Sequence, residues 1–138
     1  MTQHVQILTI PTQGKGLYPF TRHIAAWLRS TGEEAGLLTV FLQHTSASLV
    51  IQENADPDMV LDFCDFFERL VPEGDPRYRH GQEGPDDMPA HIRAALTQTS
   101  LSIPVAEGRM MLGTWQGIYV FEHRIAAEQR KVVLQLMC

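Results

Sequence analysis

The sequence predicts an α+β fold: a single compact domain of mostly antiparallel β-sheet with about three helices. The chain has 138 residues, which fits one domain spanning residues 1–138. Its hydrophobic content of 44% and charged content of 20% are those of an ordinary globular protein. Short apolar and β-branched runs dominate the chain, and the later runs follow one another through short connections, which favours antiparallel pairing.

The first half of the chain predicts strands on either side of a helix. Residues 5–10 mix β-branched and apolar side chains and are predicted to form a strand. A helix is predicted from a Thr21 cap to Gly32. Residues 37–42 form a continuous apolar run of strand length, which is predicted to be buried on both faces. After a sharp turn, residues 48–52 are predicted to form the next strand.

Two further helices and four further strands complete the prediction. Asp56 and Pro57 indicate a helix start, with Asp56 as the N-cap, and apolar residues then recur at helical spacing to Leu70. A shorter helix is predicted to open at Asp87 or Pro89. The remaining strands are predicted at residues 100–103, 109–112, 116–121 and 131–136.

Composition excludes several classes of protein. The formal charge of −5 argues against a broad basic face for nucleic acid. The two cysteines, Cys64 and Cys138, form no CxxC pair, which excludes a cysteine-rich zinc module. There is no signal-peptide pattern, and no apolar run approaches the roughly 18 residues that a membrane span needs. We therefore predict a cytoplasmic protein without membrane or nucleic-acid partners.

Three histidines predict a metal site. His80 and His91 bound a segment that is rich in Gly, Pro and carboxylates, and His44 follows an apolar run. Three neutral imidazoles with an open coordination position form a catalytic zinc site. The spacing is not diagnostic, because no HExxH motif is present, and a hydrogen-bonded structural histidine is the alternative for each. The hypothesis is a divalent-metal site at these residues, with zinc preferred and magnesium as the alternative.

Charged and hydroxyl groups near these histidines are candidates for chemistry and substrate binding. The candidate catalytic groups are Glu83, Asp87 and Glu122. Asp86 or Asp87 has the alternative role of capping the third helix. Arg124 and Arg130 offer guanidinium groups that suit phosphate. Thr45 and Ser46 are candidate substrate ligands, although hydroxyls in turns usually bond the backbone. No GxSxG, GxGxxG or P-loop is present.

Three stretches of the chain resemble the signatures of a known family. They are residues 44–57, residues 78–91 with Tyr-Arg-His and Glu-Gly-Pro-Asp-Asp-Met-Pro-Ala-His, and residues 108–124 with Leu-Gly-Thr-Trp-Gln-Gly-Ile-Tyr and Glu-His-Arg. Together they resemble the YjbQ-like proteins, known as secondary thiamine-phosphate synthases, in order and over nearly the whole chain. The resemblance implies a compact α+β fold with strong β character and a homotrimeric assembly.

The resemblance also implies a site and a reaction. It implies a metal or anion site around His44, His80 and His91. With the groups above, the expected substrate-binding residues are Thr45, Ser46, Asn54, Asp56, Gln116, Arg124 and Arg130. The implied function is a small metal-dependent enzyme with weak thiamine-phosphate synthase activity, which joins a pyrimidine pyrophosphate to a thiazole phosphate. The alternatives are a metal-dependent hydrolase of a small phosphorylated metabolite and a non-enzymatic trimeric protein that binds a metal or ligand.

Overall fold

The computed structural model describes residues 1–138, which form eight strands and three helices. The first elements are β1 (Gln3–Gln13), β2 (Gly16–Pro19), α1 (Thr21–Thr31), β3 (Gly36–Leu42), β4 (Ala47–Glu53) and α2 (Pro57–Leu70). The remaining elements are α3 (Asp87–Leu96), β5 (Ser100–Ala106), β6 (Arg109–Met110), β7 (Gln116–Glu122) and β8 (Ala127–Met137). The predicted α+β class with three helices is confirmed. The short strand β2 was not predicted, and β6 is shorter than predicted.

The strands form two antiparallel sheets. The five-stranded sheet has the order β1-β8-β3-β5-β6, and the three-stranded sheet has the order β2-β7-β4. The chain passes from one sheet to the other six times, and three of these crossings lie between β1 and β2, between β3 and β4, and between β7 and β8. Gly16 and Ala47 both pair with Glu122, so these three crossings meet at one corner of the fold. We call this place the crossing corner.

The main core lies on the inner face of the five-stranded sheet. In β3, Leu38, Val40 and Leu42 are buried, whereas Leu37 and Phe41 are 47% and 44% exposed. The prediction that residues 37–42 are buried on both faces was therefore wrong, because no element covers the outer face within the chain. Alternating burial of this kind is the expected pattern for an antiparallel strand with one covered face.

The three-stranded sheet is the one covered on both faces. Residues Gly117–Glu122 of β7 are all buried. One face of the sheet contributes Ile118 and Val120 to the main core. The other face packs Tyr119 and Phe121 against α2, where the ring centroid of Phe67 lies 5.2 Å from that of Phe121. Glu122, the last residue of β7, is therefore fully buried.

The ends of α1 and α2 follow the sequence with one exception. Asp56 caps α2 as predicted, because its carboxylate accepts a hydrogen bond from the Asp58 amide at 2.9 Å. Gly32 ends α1 in the left-handed region at φ 72°, which glycine adopts without steric cost. Thr21 does not cap α1; it is the first helical residue, and its hydroxyl accepts from the Ile118 amide. No helix has the combination of length and apolarity that crossing a membrane requires.

Candidate functional site

Two of the predicted histidines meet at one buried carboxylate. Asp87 opens α3, His91 lies one turn later on the same helix face, and His80 precedes the helix in an irregular segment. Asp87 Oδ2 lies 2.6 Å from His80 Nε2 and 3.4 Å from His91 Nε2. Each of the three residues offers one metal-ligand atom, and these three atoms lie within 4.8 Å of one another, which is close enough for a single cation. We call His80, Asp87 and His91 the histidine–aspartate cluster.

The proton on His91 is fixed by the backbone. His91 Nδ1 lies 2.9 Å from the carbonyl oxygen of Thr45. A carbonyl only accepts, so Nδ1 carries the proton, and a neutral ring then presents the lone pair of Nε2 to Asp87 Oδ2. Two acceptors face each other at 3.4 Å in this arrangement. A positive charge shared between them, either a second proton or a cation, would make the contact favourable.

Asp87 is held in place by Arg124. The Asp87 side chain is only 1% exposed, and its Oδ1 accepts from Arg124 Nη1 at 2.7 Å. Arg124 Nε donates to Asp86 Oδ2 at 3.0 Å, and Arg124 Nη2 donates to the Glu83 carbonyl at 2.9 Å. Gly84, with φ 111°, makes the turn that presents this carbonyl. The three nitrogens of Arg124 therefore all bind the chain itself.

The neighbouring carboxylate, Asp86, is held ionised by its partners. Burial alone would raise the pKa of the Asp86 carboxyl, but hydrogen bonds from the Ile125 amide and from Arg124 outweigh burial and leave the pKa below its usual value. The pKa of Arg124 is raised in turn, because the attraction of Asp86 and Asp87 exceeds the effect of its burial. Neither Asp86 nor Asp87 caps α3 through its side chain. Asp86 is a supporting residue that the sequence prediction missed, because an aspartate before a helix is typical of a cap.

Glu122 occupies the crossing corner and has no exposed surface. Its Oε1 accepts from Thr12 Oγ1 and from Arg130 Nε, the latter at 2.7 Å. Its Oε2 accepts from Arg130 Nη2 and from the amides of His123 and Arg124. A substrate would reach this carboxylate only by displacing these donors. Glu122, predicted to be catalytic, therefore has a supporting position in this arrangement, and nothing in the sequence indicated the contribution of Thr12.

Arg130 is also turned inward and is 3% exposed. Besides its two bonds to Glu122, its Nη2 donates to Ser46 Oγ at 3.0 Å and lies 3.2 Å from the Ser46 carbonyl. These bonds occupy the guanidinium that was predicted to bind substrate. Ser46, which is predicted to contact substrate, accepts a hydrogen bond from Arg130. Thr45, which is predicted likewise, binds His91 through its backbone carbonyl.

His44 does not join the histidine–aspartate cluster within the chain. Its Nε2 accepts from the Lys131 amide at 2.8 Å, and its Nδ1 faces Arg130 Nη1 at 3.4 Å. Burial and the charge of Arg130 lower the pKa of His44, so the ring is neutral near pH 7. A neutral ring has one acceptor nitrogen, and the shorter contact, with the Lys131 amide, assigns it to Nε2. Nδ1 then carries the proton, makes no hydrogen bond with the Arg130 donor and has no lone pair for a metal. The three-histidine site would need this ring to turn.

A small cavity lies beside the cluster, between the turn after β3 and helix α3. Its volume is about 280 Å³. It is lined by His44, Thr45, His91, Ala94, Ala95 and Thr99. The predicted residue Glu83 lies at the rim of the cluster, where its exposed carboxylate is 3.6 Å from Arg124 Nη1. The cavity brings His44 and His91 to one surface although His44 is not in the cluster.

Three other predicted site residues lie elsewhere in the chain. In the β4–β7 pair, Ala47 opposes Glu122 at one end and Glu53 opposes Gln116 at the other. Six residue steps of strand separate these ends by about 20 Å. Asp56 caps α2. Gln116 Oε1 accepts a hydrogen bond from the Gly113 backbone amide at 2.8 Å, and the Asn54 backbone amide donates to the Trp115 carbonyl at 3.0 Å. Asn54, Asp56 and Gln116 therefore form a separate group within one chain.

Comparison with known proteins places this architecture in a family. The sequence profile described as UPF0047 protein YjbQ-like matches residues 6–138. The chain belongs to the UPF0047 (YjbQ-like) family. It is 56% identical over 134 residues to a UPF0047 protein of Synechocystis, covering 97% of this chain and 91% of the relative. It is 43% identical over 130 residues to YjbQ of Escherichia coli O157:H7, covering 94% of each chain.

Solved structures show the same UPF0047 fold. A YjbQ/UPF0047 protein from Clostridium acetobutylicum superposes with a TM-score of 0.87 at 33% identity, covering 96% of this chain and 99% of that one. A protein from Aeropyrum pernix K1 gives a TM-score of 0.88 at 30% identity, covering 97% and 98%. These relatives match nearly the whole length of the chain. Their names state no reaction.

Proposed function

We propose that this UPF0047 protein is a small metal-dependent enzyme that holds a divalent cation at the histidine–aspartate cluster. The supporting observation is the contact between His91 Nε2 and Asp87 Oδ2, in which two acceptors face each other at 3.4 Å because Thr45 fixes the ring proton on Nδ1. Two imidazoles and one carboxylate, with the histidines partly exposed, resemble catalytic zinc ligand sets that keep a position open for water or substrate. The nitrogen ligands favour zinc over magnesium.

The surrounding residues suit chemistry on a phosphate group. A bound divalent cation would neutralise charge on phosphoryl oxygens and activate a water molecule. Arg124 holds the Asp87 carboxylate in place, and His80, whose side chain is 56% exposed, borders the open side. Because the guanidinium groups of Arg124 and Arg130 bind internal carboxylates, most of the charge neutralisation would fall to the cation. The proposed substrate is therefore a small phosphorylated metabolite that binds through its phosphate.

Two reactions fit this proposal. The first is the thiamine-phosphate synthesis that the family resemblance implies, in which pyrophosphate leaves a pyrimidine as thiazole phosphate attacks. The second is hydrolysis of a small phosphate ester. It is favoured by the size of the cavity beside His91, which at about 280 Å³ is at or below the usual range for ligand pockets. Retention of a cation without turnover of either substrate would support the third alternative, a binding protein.

We further propose that the protein is a homotrimer that uses the outer face of the five-stranded sheet. The strand register aligns Ile7, Val133 and Phe41 in one row across β1, β8 and β3, and it aligns Met137 with Leu37 in another. Exposed apolar patches of this kind are typical of interaction surfaces. Sedimentation at micromolar concentration should give a trimer for the wild type and a smaller species for Phe41→Glu. A wild-type monomer would refute the proposal.

Adjacent aspartates allow a matched test of the cation site. Asp86 and Asp87 both bind Arg124, but only Asp87 contacts the histidines. Asp87→Asn should weaken zinc binding by more than about 100-fold, since loss of a partner behind a metal ligand already costs 10–100-fold. Asp86→Asn should weaken binding by less than about 10-fold, because Asp86 acts on Asp87 only through Arg124 and is one contact further from the cation than the partners whose loss costs 10–100-fold. Both affinities are measured by calorimetric zinc titration.

Activity is then measured with the zinc-loaded wild type and both variants. Thiamine phosphate formed from the two precursors indicates the synthase, and inorganic phosphate released from a phosphate ester indicates the hydrolase. Turnover by Asp86→Asn and not by Asp87→Asn is the expected result. Equal zinc affinity in the wild type and Asp87→Asn would show that the cation site lies elsewhere.

A further inference from the structure

The carbonyl that orients His91 belongs to a residue fixed on both sides by strand β8. Thr45 lies between His44 and Ser46 in the turn after β3. His44 Nε2 accepts from the Lys131 amide at 2.8 Å, and Ser46 Oγ accepts from Arg130 Nη2 at 3.0 Å. Two consecutive residues of β8 therefore hold the two neighbours of Thr45. The direction of the Thr45 carbonyl, and with it the bond to His91, depends on these attachments.

Arg130 is itself held rigidly. It is 3% exposed and shares two bonds with Glu122, which has no exposed surface and is bound by Thr12 and two backbone amides at the crossing corner. A planar guanidinium that is fixed along one edge presents its other edge in one direction. The position of Ser46 therefore depends, through Arg130, on the position of Glu122 at the crossing corner. None of these contacts requires Arg130 to bind a substrate.

We propose that Arg130 is a positioning residue for the histidine–aspartate cluster, acting through the 44–46 turn on the tautomer and direction of His91. In this role His44 is a tether to β8 rather than a metal ligand. The inference rests on the proposed cation site, because its consequence for function is zinc affinity. It makes one prediction that is independent of any cation: the proton of His91 stays on Nδ1 only while the turn is held.

Arg93 supplies a matched control for Arg130. Arg93 is also a buried arginine, 2% exposed, and it lies on α3 two residues after His91. Its Nη2 donates to the Val71 carbonyl at 2.6 Å, and it is paired with Glu68, so it does not contact the 44–46 turn. Arg93→Gln and Arg130→Gln therefore each remove one buried positive charge, but only Arg130→Gln removes a contact with the 44–46 turn.

The first measurement is the tautomer of His91 in the metal-free protein, read from imidazole ¹⁵N shifts at about pH 8, where an ordinary imidazole is neutral. The wild type and Arg93→Gln should show the proton on Nδ1. Arg130→Gln should show a mixture in which Nε2–H is populated. The second measurement is zinc affinity, which should fall by about 10–100-fold in Arg130→Gln, the usual effect of losing support behind a ligand. Arg93→Gln should change it by less than about threefold, because the bonds of Arg93 go to Val71 and Glu68, neither of which contacts the cluster.

The outcomes separate this inference from the proposed function. A folded Arg130→Gln with the wild-type tautomer and zinc affinity would overturn the inference while leaving the cation site intact. A tautomer shift in a protein whose wild type binds no zinc would uphold the positioning role and refute the proposed function. Should Arg130→Gln fail to fold, His44→Ala removes the other attachment at a partly exposed residue. It should then shift the tautomer in the same direction, and an unchanged tautomer would overturn the inference.

Discussion

Glu122→Gln tests whether the carboxylate at the crossing corner stabilises the fold through charge. The substitution keeps the shape of the side chain and replaces one oxygen with an NH₂ group. Glu122 accepts from five donors, of which two belong to the buried guanidinium of Arg130. In the variant, the NH₂ group faces donors on one side, and the charge of Arg130 loses its counterion in a site without exposed surface.

The expected loss of stability follows from the buried ion pair. Removing one partner of such a pair costs about 3–5 kcal/mol, because the remaining charge stays buried and uncompensated. For 138 residues, about 2.1 cal/mol/K per residue gives an unfolding entropy of about 0.29 kcal/mol/K. The predicted loss in Tm is therefore about 10–17 °C. The loss of about 3–5 kcal/mol is a large fraction of the roughly 5–15 kcal/mol by which a domain of this kind is stable.

The assay is thermal unfolding by calorimetry at one fixed protein concentration, since an oligomer's Tm depends on concentration. Arg130→Met and the double variant complete a cycle that isolates the pair. The double variant should be more stable than Glu122→Gln alone, because it leaves no unpaired charge. A loss in Tm below about 3 °C for Glu122→Gln, equivalent to about 1 kcal/mol, would refute the reasoning.

Two other substitutions probe the network from its edges. Arg124→Ala should lower the unfolding free energy in urea by about 3–5 kcal/mol and weaken zinc binding, because Asp86 and Asp87 stay buried without their cation; unchanged zinc affinity would contradict this. Burial and nearby cationic side chains lower the pKa of His123 to about 3. Below about pH 6.5 this imidazole therefore binds a proton in the unfolded chain but not in the folded protein. Its contribution lowers the free energy of unfolding by about 1.4 kcal/mol for each pH unit of acidification. His123→Gln should show a shallower decline in urea unfolding between pH 7 and pH 5 than the wild type.

Local signals in the sequence predicted the helices well. Asp56 and Pro57 predict the start of α2 because capping and fixed proline geometry depend on near neighbours only. The exposure of Leu37 and Phe41 was not predictable in the same way. An apolar strand shows that its side chains suit burial, but the partner that covers each face is set by distant parts of the chain.

The site shows the same division between local and distant determinants. His44, His80 and His91 were predicted to share one metal site, and Asp87 was predicted to be catalytic. The structure groups His80 and His91 with Asp87, which lies within twelve residues of both, and leaves His44 outside this cluster. The inward positions of Arg124, Arg130 and Glu122 were not predicted, since a charged residue at a strand end is usually exposed. Glu122 and Arg130 are buried because three of the crossings between the sheets meet at the crossing corner and bring residues 12, 46, 122 and 130 together. Contacts between residues this far apart in the sequence cannot be predicted from composition or motif spacing.

The three candidate ligands span only twelve residues of the chain, from position 80 to position 91. An unfolded chain keeps such a short segment together, so it retains some capacity to capture zinc. A ligand that binds both states stabilises the native one only by the difference in affinity. That difference must come from the groups that exist around the segment only after folding, the Thr45 carbonyl and the Arg124 guanidinium. The increase in Tm produced by zinc would therefore measure how well the folded protein positions the three ligand side chains, and not the number of ligands.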